Sequence, residues 1–439
     1  MTTRWIHGAT FKVLGIGLLA LLMLVPLAQV EDLVREREAR AAEATAQVAA
    51  RWGGRQLVGG PVLVVPVQVR QRQGEATITV ETREYLLPDR LSMHADLVPE
   101  VRRYGLYETV VYVAGMKVEG HFLAADIAAL EGPGREVQWQ RARLDIPVAD
   151  VRGIRRVSAL RVDDAERTFG PAAVGVAGIA AISASLPVDV AALPPQVRFA
   201  FEMTLAGSER FAALPLARRA ELQVGGDWPD PGFDGAFLPA TRSVDAGRFD
   251  ASWQVLDLNR SIAQHWSELD PAPPALAETA FGVSLMQPTG PYQQNVRAGK
   301  YGVLFVALTF VAFFLFEVLR GLRVHPVQYL LVGVALCTFY VVLLALSEQF
   351  GFGVAYLAAA AVTVVLVGGY AAAVLSQWRG GCVLGGVLAV AYALLYGLVS
   401  SEDYALLMGA LALLATVTAL MYLTRRVDWY AAGPSAREA

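Results

Sequence analysis

Two hydrophobic patterns divide the chain. Long apolar runs occupy 9–29, 302–319, 327–347, 353–377, 382–399 and 404–424, each close to the roughly 20 apolar residues that a bilayer-spanning helix needs. Between the first two runs the pattern becomes strict alternation. In "VRFAFEMTL", Val197, Phe199, Phe201, Met203 and Leu205 alternate with Arg198, Ala200, Glu202 and Thr204. "RAELQV" sets Ala220, Leu222 and Val224 against Arg219, Glu221 and Gln223, and "FDASWQV" sets Phe249, Ala251, Trp253 and Val255 against Asp250, Ser252 and Gln254. In "VVYVAGMKVEGHF", Val110, Tyr112, Ala114, Met116, Val118 and Phe122 share one face. A period of two predicts strands buried on one side and wet on the other, as in antiparallel sheets.

Turn-rich breaks such as "EGPG", "GGDWPDPGFDG" and "LPP" separate these strands. Residues 31–52 are rich in helix formers and stop at Gly53–Gly54, so the first span is expected to continue outward as a helix. "GGP" at 59–61 then switches the chain to "VLVVPVQVR", where Pro66 predicts an edge strand or a bulge. "RSIAQHWSELD" has the spacing of a short amphipathic helix, with Trp266 packed on a sheet. The predicted fold is membrane α + β. Six transmembrane helices, one N-terminal and five C-terminal, carry a large β-rich, sandwich-like domain outside the membrane. The segments are 1–30 (tail and first span), 31–60 (extended helix and linker), 61–299 (β-rich domain), 300–426 (five-helix bundle) and 427–439 (tail).

Composition agrees: 55% of the residues are hydrophobic and mean hydropathy is +0.43, values typical of membrane proteins. With 18% charged residues and a net charge of −3, the chain lacks the clustered Lys and Arg of a nucleic-acid surface. Cys337 and Cys382 lie in apolar runs, apart from each other and from any His, and form no redox or metal motif.

Charges in the short connections set the orientation. Arg4 and Lys12 flank the first span; Arg320 and Arg323 follow the second, Arg379 the fourth, and Arg425 with Arg426 the sixth. The alternate loops hold only acids, Glu348 in one and Glu402 with Asp403 in the other. By the positive-inside rule both termini are cytoplasmic and 31–299 lie outside, with Lys300 the one charge at the wrong end. The first run also fits a cleavable signal peptide, although "VPLAQVED" offers a poor small-x-small site.

Candidate chemistry is sparse. HExxH, GxSxG, the P-loop and CxxC are all missing from the sequence. His121 falls on the polar face of its strand, and the adjacent Asp163 and Asp164 face opposite ways, a poor carboxylate pair. Arg102, Arg103 and Tyr107 in "VRRYGLY" could grip an anionic ligand outside the membrane; the alternative is a solvated turn. Glu317 sits within a turn of the cytoplasmic end of its span, three residues before Arg320 and near His325. An interfacial pair with Arg320 is the favoured reading over a proton relay, because the later spans hold no ionisable interior residues. "GCVLG" at 381–385, with "VGGYAAAV", predicts close helix packing.

The sequence also resembles the CreD family of inner-membrane cell-envelope integrity proteins of Gram-negative bacteria. The resemblance is sharpest in "PYQQNVRAGKYGVLFVALTFVAFFLFE" and "HPVQYLLVGVALCTFYVVLLALSEQFGF". It extends to "ARWGGRQLVGGPVLVVP", "RRYGLYETVVY", "WPDPGFDGAFLP" and "FDASWQVLDLNRS". It implies an N-terminal span, a periplasmic domain and a C-terminal helix group. It also implies links to envelope integrity, to a two-component system responding to medium and wall damage, and to colicin tolerance. It implies no catalytic residues. The expectation is therefore a non-enzymatic membrane protein without cofactor or metal, whose partners are the lipid bilayer and an envelope protein, lipid or glycan. Nucleic acid is not expected, and oligomerisation is left open. A channel or lipid transporter through the C-terminal bundle is the alternative.

Overall fold

The computed structural model describes residues 3–73, 76–105, 107–270, 275–285, 291–320, 324–374, 378–401 and 405–425. They form two compact units. One comprises Met1–Ala41 with Thr289–Ala439, the other Ala42–Pro288.

The helices, in chain order, are α1 (Thr3–Leu22), α2 (Leu24–Trp52), α3 (Ala124–Ala128), α4 (Pro291–Lys300), α5 (Gly302–Arg320), α6 (Pro326–Phe350), α7 (Phe352–Val374), α8 (Trp378–Ser400) and α9 (Ala405–Thr424). Helix α2 ends at Trp52, directly before Gly53, whose φ of 140° suits glycine and where a Cβ would lie 2.5 Å from the Ala206 carbonyl oxygen. Among the described residues four helices are long and apolar enough to cross a bilayer: Lys12–Trp52, Pro326–Phe350, Phe352–Val374 and Trp378–Ser400. The pair Tyr292–Lys300 and Gly302–Val318, bent by 44°, makes a fifth if counted as one span, and Leu407–Ala419 is a shorter apolar helix.

Within the helical unit, Met23, Leu27, Phe305, Phe310, Leu336, Phe339, Tyr356 and Tyr392 belong to one buried core. Helices α7 and α8 approach closely at Gly368 and Gly381, where a Cβ on Gly381 would clash with the Gly368 carbonyl. The small residues of "GCVLG" thus do the packing their spacing suggests.

The other unit is β-rich, with open sheets of four, nine and seven strands. The nine-stranded sheet runs through Gln196–Ser208, Tyr107–Leu123, Arg90–Tyr104, Arg219–Gly226 and Arg248–Leu256, in that spatial order. Pairing is mostly antiparallel, but Arg90–Tyr104 and Arg219–Gly226 run parallel, as do Gln56–Val58 and Arg210–Ala213. Every inward position of the four alternating stretches quoted above lies in one buried core, shared with Leu63, Val65, Leu86, Leu144 and Ile146 of the seven-stranded sheet.

Two local expectations are corrected. Strand Val62–Gln73 is internal, not an edge, and Pro66 sits where its neighbour changes from Arg143–Pro147 to Arg135–Val137. The missing proline N–H thus falls in a gap between two ladders. "RSIAQHWSELD" forms a short strand, His265–Ser267, because Trp266 stacks on Tyr85 across the pair at 5.2 Å. Trp266 does pack on a sheet, as expected.

Candidate functional site

The corner between α5 and α6 begins as a capping problem. Four N–H groups at a helix start lack intrahelical acceptors. His325 caps α6: its Nδ1 accepts from the Val327 amide at 3.3 Å, and the Gln328 side-chain oxygen accepts from the His325 amide at 2.9 Å. Pro326 takes the first helical position, where no N–H is needed. The sequence "HPVQY" is thus a helix start, and His325 serves the backbone.

Tyr329, one turn further on, points back at α5. Its hydroxyl donates to Glu317 Oε2 at 2.9 Å, and the Val324 amide donates to Glu317 Oε1 at 2.9 Å. The Lys12 ammonium of α1 also pairs with Glu317 Oε1 and donates to the Val324 carbonyl at 3.1 Å. Glu317 is only 5% exposed. Glu317 is thus buried rather than solvent-reaching and pairs with Lys12, while the Arg320 side chain, the other half of the expected pair, lies outside the described residues. The folded-back corner excludes water from the carboxylate, and the desolvation this costs is offset by one cation and two neutral donors.

A second polar set lies at the far end of α6, about 27 Å along the helix from Tyr329 to Ser347. Buried Asn295 of α4 donates to Ser347 Oγ at 2.9 Å, and Tyr292 donates to Glu348 Oε1 at 3.0 Å. The "PYQQN" and "SEQ" stretches meet here, fixing α4 on α6.

In the β-rich unit Arg102, Arg103 and Tyr107 form the end of a long hairpin turning at Gly105, which adopts φ 64°. Arg102 stands opposite Thr109 and Arg103 opposite Glu108, so the two guanidinium groups leave opposite faces and build no common cradle. Arg102 lies 3.8 Å over the Trp52 ring and 3.2 Å from Glu100; Arg103 Nε donates to Glu108 at 2.6 Å. Tyr107 pairs with Tyr104 across the turn.

A match to the family model of CreD, described as "Inner membrane protein CreD", covers residues 8–430. The chain belongs to the CreD family. It is 31% identical over 423 residues to inner membrane protein CreD of Escherichia coli K12, covering 94% of this chain and 91% of that protein. Together with its apolar helices, this makes the chain a multi-pass membrane protein of the inner-membrane CreD type.

Several CreD-like blocks prove to be structural ties that residue-by-residue reading missed. Gln56 of "RWGGRQLVGG" is buried and donates to the Ala206 and Asp150 carbonyls at 2.8 and 3.2 Å. Arg260 of "VLDLNRS" is buried, donates to the Ala217 carbonyl at 3.2 Å and to Gln264 Oε1 at 2.8 Å, and burial pushes it down to about 10. Gln264 in turn donates to the Leu87 and Pro88 carbonyls at 2.8 and 2.9 Å. Among the described residues no group of three or more His, Cys, Asp or Glu is arranged to hold a metal ion.

Proposed function

We propose that this CreD-family chain is a non-enzymatic inner-membrane protein that supports cell-envelope integrity. Six spans would place both termini in the cytoplasm and residues 31–299 in the periplasm, where the sandwich-like β domain binds an envelope component. The helices would anchor that domain and can relay its state. The observation that carries this reading is the closed Glu317 site: both carboxylate oxygens are occupied by Lys12, Tyr329 and Val324. A satisfied acid bound to its own helix bundle behaves as an anchor, whereas a relay needs an acid with an accessible proton path.

A channel or lipid transporter is the second reading. It is favoured by the 44° break between α4 and α5 and by the buried Tyr340 hydroxyl, which has no hydrogen-bond partner among the described residues. Leakage of a periplasmic reporter enzyme from a deletion strain under detergent stress separates the two. Rescue by the exported 31–299 segment, or by a full chain carrying Glu317→Gln at matched expression, supports the anchor. Loss of rescue by Glu317→Gln with normal expression supports transport.

A further inference from the structure

Two of the sheets in the β-rich unit leave a slot between them. Leu63 of the seven-stranded sheet faces it, as do Phe122, Val162 and Val197 of the nine-stranded sheet and Ile127 of α3. Leu63, Phe122 and Ile127 are at most 2% exposed, so the slot reaches the core that joins the sheets. The connection 186–194, between strands Ala181–Ser185 and Gln196–Ser208, supplies the rim, where Asp189, Ala192 and Pro194 are exposed. The slot holds about 190 Å³. An apolar cavity of about 150 Å³ is enough for benzene, so this one takes a single ring or branched side chain.

Asp163 and Asp189 complete the lining, and no Lys, Arg or His takes part in it. Asp189 caps the short turn Val190–Ala192, its Oδ1 accepting from the Ala191 amide at 3.2 Å. Asp163 adopts φ 49° in the turn between Val162 and Ala165, and its Oδ1 accepts from the Arg198 amide at 3.0 Å. Among the described residues the second oxygen of each carboxylate has no hydrogen-bond partner, and neither carboxylate is in an ion pair. Two fixed anions beside an apolar hole complement an apolar group with a cation next to it.

The rim continues into an open hollow of about 1430 Å³ beside the nine-stranded sheet, which shares Asp163 and Pro194 with the slot. Three arginines and four carboxylates line the hollow, so it selects neither a polyanion nor a polycation. Among the described residues these seven make no ion pair with one another, and Pro194, Pro195 and Ala200 lie between them. Such a lining suits a polypeptide, which presents donors, acceptors, apolar groups and both charges along its length.

We propose that the slot and the hollow bind an extended segment of another protein. One large apolar side chain enters the slot, an adjacent Lys or Arg meets Asp163 and Asp189, and the flanking residues lie along the hollow. This rests on the reading that the β-rich unit binds an envelope component, and it names that component as a protein.

The test uses the purified full chain in phosphatidylcholine nanodiscs, with empty nanodiscs as background. The probe is a labelled peptide of small polar residues around one phenylalanine followed by one lysine. It should bind saturably, and more weakly as salt rises. Replacing its phenylalanine by alanine, or its lysine by glutamate, should each weaken binding about tenfold or more. Asp163→Asn with Asp189→Asn keeps both backbone hydrogen bonds, because asparagine caps turns and accepts a positive φ as aspartate does. This pair should fold normally and bind the probe about tenfold more weakly. Four results overturn the proposal: no binding of the probe by the unaltered chain, equal binding of the alanine peptide, undiminished binding by the Asn pair, or benzylammonium binding as tightly as the peptide. The reporter-leakage assay reads the envelope role separately. A full chain that binds the probe but fails to restore the barrier sinks the envelope reading and leaves the peptide site. A chain that restores the barrier but binds no probe sinks the peptide site alone.

Discussion

Glu317 in the helical unit and Asp150 in the β-rich unit each collect donors from several places in the chain. Asp150 accepts from the Gly54 amide at 3.0 Å, from the Arg152 amide at 3.1 Å and from the Arg152 guanidinium at 2.8 Å. Glu317 accepts from Val324, Tyr329 and Lys12. The surroundings differ. The Arg152 side chain is 66% exposed, so water can replace it, whereas Glu317 lies among apolar helices with Lys12 as its counter-charge. The same device is therefore adjustable in one unit and brittle in the other, because the cost of an unpaired charge depends on what can solvate it.

The largest expected effect follows directly. Glu317→Leu leaves the Lys12 ammonium without its counter-charge and should destabilise the protein by about 3–5 kcal/mol, the range for breaking a buried pair. The readout is the thermal midpoint of detergent-solubilised protein. Next comes the far end of α6, where Asn295→Leu removes one donor from Ser347 Oγ, which still donates to the Leu344 carbonyl at 2.9 Å. A loss of about 0.5–1.5 kcal/mol is expected, and a loss equal to that of Glu317→Leu would remove the distinction between a charged and an uncharged tie.

Asp150 sharpens the contrast through pH. The Arg152 side-chain hydrogen bonds, aided by the Gly54 amide, hold its carboxyl below the ordinary range. A depressed folded pKa gives stability that is present above the unfolded value of about 3.9 and is lost as pH falls through the folded value. Unfolding midpoints of the wild-type chain should therefore drop below about pH 4, and Asp150→Asn should flatten that part of the curve. An unchanged acid limb in Asp150→Asn would show that the carboxylate does not report on folding. The smallest effect is expected at the hairpin end. Arg103→Ala removes an exposed ion pair with Glu108 and should change stability by less than about 1 kcal/mol, measured in the same melts.

What could be read from sequence differed between the units for a physical reason. In the β-rich unit one face is buried and the other wet, so residues such as Phe199 and Arg198 declare their sides by alternation. In the helical unit, lipid-facing and core-facing residues are equally apolar: Val365 is exposed and Val367 buried within one helix, and no pattern of polarity separates them. The position of Glu317 near a helix end was legible. Its tie to Lys12 was not, because Lys12 is 305 residues away in sequence. "HPVQY" held the missing signal, since a capped helix start with Tyr at its fourth position aims a hydroxyl back at the preceding helix. The tip residues Arg102 and Arg103 looked like a joint cradle only while their strand alternation was left out of account.

The central claim is that Glu317 and Lys12 form a structural clamp between α1 and the α5–α6 corner. A double-mutant cycle of Lys12→Met and Glu317→Leu, read as thermal midpoints at matched detergent and salt, tests it most directly. The account predicts that the double variant is more stable than Glu317→Leu alone, with a coupling of at least about 1 kcal/mol. Additive losses from the two substitutions would contradict the clamp and return Glu317 to the candidates for a transport role.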